Sequence, residues 1–366
     1  MSTTSRANFS GQIAVICRRS LSTTSKTYFD GISLWIVEPT FHSIAVYSIA
    51  IPIISILGII GNALILCVLC KGNFKASVFT YLTVLAAADL VTCVMLLFSG
   101  LARGVFWCEN GWLQFDVFVY LPVVSASSNL AVWATMCVAV DRLAIVFSLP
   151  KCKTPKFCDY EVARRLMIFF GCFAVLITVP YCLIFTYNDQ GDLVTTRFFH
   201  SWLYNLQNWL QFVMFGMIPA VLLVVTNMIM CQSVKKTLRK KQLVLQYKNI
   251  REGNRLRDQA RMTVMLIGIV FVFVLGEVPT HLASRRGALS LLYGGDLTKV
   301  SEYYMERFRM YATLMNAISS STNFVLYCLL NQRFLSHLKH LLTGKAWQRS
   351  STIKCSVPYA MSNRVQ

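Results

Sequence analysis

Seven long apolar stretches organise the sequence, near residues 44 to 70, 78 to 102, 115 to 146, 164 to 187, 206 to 234, 262 to 284 and 308 to 330. Each is long enough to cross a hydrocarbon core of about 30 Å, which takes roughly 20 residues of helix. The pattern predicts an all-α membrane protein, a seven-transmembrane helix bundle, and the odd count places the two termini on opposite sides. After the seventh stretch, Phe334, Leu335, Leu338, Leu341 and Leu342 recur at helical spacing, with Arg333, His337, Lys339 and His340 mostly off that face. Residues 331–342 therefore read as an amphipathic helix, too short to span and suited to lie along the inner leaflet. The expected organisation is an external tail over 1–43, a membrane domain over 44–342 and a polar C-terminal tail over 343–366.

Two connections carry patterns of their own. The stretch from Lys235 to Arg261 is basic and continues helical periodicity from both sides, which predicts two helix extensions joined near Gly253. Beyond a turn at Asp189-Gln190-Gly191, the β-formers Val194, Thr195, Thr196, Phe198 and Phe199 predict a short hairpin lid.

Composition agrees with a membrane protein: 55% of the 366 residues are hydrophobic and 14% charged, where soluble domains have about a quarter charged. The net charge of +19 first suggests nucleic acid, but the distribution argues otherwise. Of the 35 Lys and Arg, 24 fall in the loops and tail on one side of the bundle and 11 on the other. Cationic loops stay in the cytosol, so the N-terminus is expected outside and the C-terminus inside. The basic excess reads as a topology signal and a contact with anionic lipid, not as a nucleic-acid partner. No clear cleavable signal peptide precedes the first stretch. Asn8 heads the only glycosylation sequon, accessible if the tail is external. Cys17 and Cys108 alone of the 13 cysteines fall clearly outside; they either pair or stand as two free thiols.

Polar residues inside the apolar stretches are few, and their order is informative. They are Asn62 in the first; Leu85-Ala86-Ala87-Ala88-Asp89 in the second; Asp141-Arg142 at the end of the third; Pro180 and Pro219, expected to bend the fourth and fifth; Glu277 and Pro279 in the sixth; and Asn323-Phe324-Val325-Leu326-Tyr327 in the seventh. Ionisable groups placed there are costly and mark functional sites. In this order and over residues 44 to 342, the chain resembles the rhodopsin-like, class A G-protein-coupled receptors. The ending Ser320 to Cys328, with Pro122 and Pro180, is similar to invertebrate FMRFamide-type neuropeptide receptors.

The resemblance implies roles. Asp141 and Arg142 form a latch that releases Arg142 toward a heterotrimeric G protein when the sixth helix moves, with Pro279, Asn323 and Tyr327 as further switch residues and Asp258 as a candidate for the second acid that holds the Arg. Asp89, with Asn62, Ser320 and Asn323, frames a site for an allosteric sodium ion; a protonated Asp89 hydrogen-bonded to Asn62 and Asn323 is the alternative. No other cofactor is implied. Glu277 and His281 face a ligand pocket, or bond within the bundle. Val124 stands where the amine receptors carry an Asp and Ala317 where opsins carry a Lys, so monoamine and light are unsuited stimuli. The rim charges and aromatics, among them Asp116, Asp189, Glu306, Trp202 and Tyr204, suit a peptide or are simply solvated loops.

The departures are Leu143 for the motif's Tyr, Phe324 for the Pro of the seventh helix, Glu277 for Trp, and Val117 where the disulfide cysteine of the third helix belongs. The last leaves the lid without its usual tether. The implied function is a plasma-membrane receptor that passes binding of an RFamide-like neuropeptide to a G protein. A chemosensory receptor for small environmental molecules is the second reading, and a seven-helix transporter or channel a third, from another class. No nucleophile–base pair, metal-spaced His or Cys cluster, or glycine-rich phosphate loop is present, so no enzyme is expected.

Overall fold

The computed structural model describes residues 40–72, 76–107, 109, 111–148, 158–187, 189, 193–199, 201–246, 250–284, 302–330 and 332–343. Asn8, Cys17 and Cys108 lie outside them. Helices α1 (Phe41–Lys71), α2 (Ser77–Arg103), α3 (Phe115–Ile145, continuing to Ser148), α4 (Tyr160–Leu183) and α5 (Trp202–Ser233, continuing to Gln246) come first. Then follow α6 (Ile250–Ser284), α7 (Glu302–Leu330) and the short α8 (Gln332–Thr343). Helix α5 is described to Gln246 and α6 from Ile250, so Gly253, expected at the junction, is inside α6. Strands β1 (Phe185–Tyr187) and β2 (Leu193–Thr195) form the lid as an antiparallel pair, Phe185 opposite Thr195.

Among the described residues, six helices are long and apolar enough to cross a membrane by length and composition. Helix α7 is the exception, although its 29 residues reach about 44 Å at 1.5 Å each. Asn316, Ser319, Ser320 and Asn323 dilute its hydropathy, and all four are buried. Its polar face is turned into the bundle, where α7 packs along α6 and α1. α8 is seated by Phe334 and Leu338, both buried, with the Phe334 ring 5.1 Å from that of Tyr327.

Prolines shape the helices in a consistent way. Pro52, Pro122 and Pro219 each follow a wide π turn, at Val46–Ala50, Phe115–Tyr120 and Phe212–Met217. Proline has no N–H and its ring presses on the carbonyl four residues back; one extra residue in the preceding turn moves that carbonyl away. Pro180 acts differently. The α-helix ends at Thr178 and a 3₁₀ turn runs from Val179 to Leu183, so the fourth apolar stretch does not continue as helix to 187. Its last residues, Phe185, Thr186 and Tyr187, are strand formers and enter β1.

The lid is anchored although it has no cysteine. Val117, Tyr181, Ile184, Phe185, Phe199 and Tyr204 form one buried apolar cluster. Thr196 fixes the hairpin base, its N–H donating to Ile184 O at 2.8 Å and its Oγ1 to Leu183 O at 2.5 Å. Packing around Val117 thus holds the lid that was expected to lack a tether.

Candidate functional site

Among the described residues, the buried polar groups fall at four depths of the bundle. At the basic end, Asp141 is fully buried near the end of α3 and Arg142 Nη2 lies 3.4 Å from Asp141 Oδ2. Two other elements hold the same residue. Ser77, first residue of α2, donates Oγ to Asp141 Oδ1 at 2.5 Å, and Cys158, just before α4, donates Sγ to the Asp141 backbone carbonyl at 3.7 Å. Burial and the Asp141 carboxylate push the Cys158 thiol up to about 12. Asp141 therefore knits α2, α3 and the entry to α4, and Arg142 is the partly exposed member of the pair. Sequence reasoning missed Ser77: a serine opening a helix after a short loop reads as a cap. Tyr327 is buried nearby against Phe334. Asp258 sits in α6, with its side chain outside the described ones.

At mid-bundle, Asn323 Nδ2 donates to Asp89 Oδ2 at 2.6 Å, and the Ser320 side chain lies beside the same carboxylate. Asn62 contributes one step removed: its Nδ2 donates to Gly58 O at 3.0 Å and to Ser320 O at 2.9 Å, holding the α7 backbone rather than the carboxylate. Gly61, beside it, leaves room for Phe324; a Cβ there would stand 2.9 Å from Phe324 Cβ. The residue in the proline's place thus packs α7 against α1, and α7 runs without a break.

Higher, Glu277 and His281 lie on one face of α6, with His281 Nε2 3.6 Å from Glu277 Oε2. Glu277 Oε1 accepts from Asn316 Nδ2 at 3.3 Å and from Ser128 Oγ at 3.4 Å. Ser320 Oγ in turn donates to Asn316 Oδ1 at 3.4 Å. A continuous polar chain, Glu277–Asn316–Ser320–Asp89–Asn323, therefore joins two buried carboxylates along α7. Asn316 was overlooked in the sequence, although Asn316, Ser320 and Asn323 share one helix face by spacing. Pro279 is accommodated inside α6, and Thr280 Oγ1 donates to Gly276 O at 2.9 Å and to Ala312 O at 3.3 Å on α7. Val124 does not join Glu277. It packs with Tyr47, Ile51, Leu96, Tyr120 and Ala317, toward α1, α2 and α7.

The far end corrects the picture of a solvated rim. Arg103 and Asp116 form a bidentate pair, with Nε 3.1 Å and Nη2 3.0 Å from Asp116 Oδ2, and both are buried. Ser99 Oγ donates to Asp116 Oδ1 at 2.6 Å and the Arg103 guanidinium lies over Tyr120, 4.8 Å from the ring centre. Glu306 accepts from Tyr47 OH at 3.2 Å, and Tyr204 is buried in the lid cluster. Among the rim residues, Trp202 and Tyr304 are strongly exposed.

Comparison with known proteins bears on this arrangement. The sequence is 23% identical to the sex peptide receptor of Drosophila melanogaster over 90% of this chain and 80% of that protein. It is 23% identical to the FMRFamide receptor of the same organism, over 79% of this chain and 52% of that protein. The sex peptide receptor-related protein 2 of Caenorhabditis elegans matches at 20% identity over 88% of this chain and 79% of its own length. Among solved structures, squid rhodopsin superposes with a TM-score of 0.63 at 15% identity, covering 89% of this chain and 94% of the other. The family model of the 7 transmembrane receptor (rhodopsin family) matches residues 61–327, a span that runs from the Asn62 region of α1 through Asp89, Asp141-Arg142 and Pro279 to Tyr327. The chain belongs to the rhodopsin family of seven-transmembrane receptors, and is a multi-pass plasma-membrane protein.

Proposed function

We propose that this receptor binds an extracellular peptide and activates a heterotrimeric G protein, with the N-terminus outside and the basic end in the cytosol. The observation that carries the coupling half is the Asp141–Arg142 pair: a buried carboxylate, held by Ser77, beside an arginine that is partly exposed. In the resting arrangement Asp141 retains Arg142; when α6 moves away, the guanidinium is released to the transducer. Such a pair at 4 Å contributes on the order of 4 kcal/mol at an effective dielectric near 20, a magnitude a ligand can outweigh. The peptide half is supported by the relatives named for peptides, sex peptide and FMRFamide, and an amidated RFamide-like peptide is the ligand class we favour. Asp89, Ser320 and Asn323 offer oxygens suited to a sodium ion that stabilises the resting arrangement.

The test is a screen of amidated peptides on cells expressing the full chain with a promiscuous G protein, alongside Arg142→Ala. A peptide response in the parent, abolished by Arg142→Ala at unchanged surface expression and peptide binding, is the expected result. Preserved signalling by Arg142→Ala refutes the latch. Responses to small environmental molecules but to no peptide transfer the receptor to the chemosensory reading, and ligand-driven current or flux without a G protein transfers it to transport.

A further inference from the structure

We infer that Glu277 and His281 form a binding site for a zinc-class divalent metal ion in the interior of the bundle. Both side chains are more than nine-tenths buried, and neither ring nitrogen of His281 nor Glu277 Oε2 has a hydrogen-bond partner. Polar atoms removed from water without a partner are costly, and here three of them gather on one helix turn. Their separation is informative. His281 Nε2 and Glu277 Oε2 are 3.6 Å apart, too far for one to donate to the other. Two metal bonds of about 2.0 to 2.1 Å spanning that edge subtend roughly 120°, within the range of a tetrahedral or trigonal zinc site.

The surroundings fit the same occupant. The spacing of four residues puts both ligands on one helix face. The second carboxylate oxygen is braced by Ser128 Oγ and Asn316 Nδ2, the outer contacts that orient a metal-ligating carboxylate. A divalent cation would neutralise a carboxylate that has no basic residue hydrogen-bonded to it among the described residues. The imidazole selects the metal class: nitrogen donors suit zinc, copper or nickel, whereas calcium, magnesium and sodium prefer all-oxygen sets such as that around Asp89. Among the described residues no group of three His, Cys, Asp or Glu gathers. The site is therefore two-pronged, with coordination positions left for water or for a donor group of a bound ligand, and it binds more weakly than a closed structural zinc site.

The experiment needs neither the peptide nor a G protein, so its outcome is separable from that of the proposed function. The full-length receptor is purified in a background where His42, His200, His337 and His340 are replaced by Gln, leaving His281 as the only histidine. Thermal unfolding is followed against zinc chloride, with magnesium and calcium chloride as controls. A saturable rise of Tm with zinc alone is expected. His281→Asn and Glu277→Gln each remove it, His281→Cys retains it because a thiolate replaces the imidazole as ligand, and Asn316→Ala weakens it about tenfold through the lost brace. Absence of the zinc effect in the background protein overturns the site, as does an undiminished effect in His281→Asn and Glu277→Gln; should either of these not fold, an undiminished effect in Asn316→Ala together with loss in His281→Cys does the same.

Discussion

Ser77→Ala isolates the hold on Asp141 without touching the ion pair itself. The substitution removes one oxygen, and with it the 2.5 Å hydrogen bond to a fully buried carboxylate. Hydrogen bonds to charged groups contribute about 1.5 to 3 kcal/mol. If Asp141 turns toward Ser77 only in the resting arrangement, the whole amount is lost from that state, and the balance between resting and active states moves by roughly 10- to 150-fold. A receptor about 1% active without ligand would then be at least about a tenth active. The assay is guanine-nucleotide exchange on a G protein in membranes at matched receptor density, with no ligand added. A several-fold rise in basal exchange is expected, together with a lower Tm. Unchanged basal exchange with a lowered Tm would mean that Ser77 holds Asp141 equally in both states, and the latch would have to lie elsewhere.

Three further outcomes follow from the packing. Asp116→Ala strands the buried Arg103 guanidinium and should cost about 3 to 5 kcal/mol of stability, whereas Arg103→Met with Asp116→Leu should cost far less; thermal unfolding of the purified receptor separates them, and equal losses refute the ion-pair account. Gly61→Val drives a side chain into Phe324 and should cost about 1 to 3 kcal/mol, recovered in part by Phe324→Ala; no recovery in the double variant would show that the clash is not with Phe324. Because burial and Asp141 hold the Cys158 thiol protonated, maleimide labelling at Cys158 should stay slow up to pH 9, where an ordinary thiol with a pKa near 8.5 is mostly thiolate; labelling that accelerates between pH 7.5 and 9 contradicts it.

The helical plan was legible because the cost of polar groups in hydrocarbon leaves long apolar runs, and the few exceptions stand out by position. Asp89 with Asn323, and Asp141 with Arg142, were readable for that reason. What escaped was pairing at a distance in sequence. Arg103 and Asp116 are separated by a loop, and each alone looks like a solvated rim charge; only the packing of α2 on α3 reveals a desolvated pair. Asn316 escaped because one amide in a helix reads as a packing feature until the helices on both sides supply Glu277 and Ser320. The low hydropathy of α7 has the same origin: its polar face is satisfied by other helices, a fact invisible within its own 29 residues.

The widened turns before Pro52, Pro122 and Pro219 all lie in odd-numbered helices, which start at the end opposite Asp141. Each amounts to one residue inserted into an otherwise regular helix, and removing it would rewind everything toward that end by about 100°. A single-codon deletion in 212–217 would therefore swing the face of Trp202–Gln211 by more than a quarter turn while leaving the segment from Ile218 to Gln246 in place. Length changes at these three points re-aim the half of the molecule opposite Asp141 in discrete steps, and the half that carries Asp141 and Arg142 keeps its register throughout.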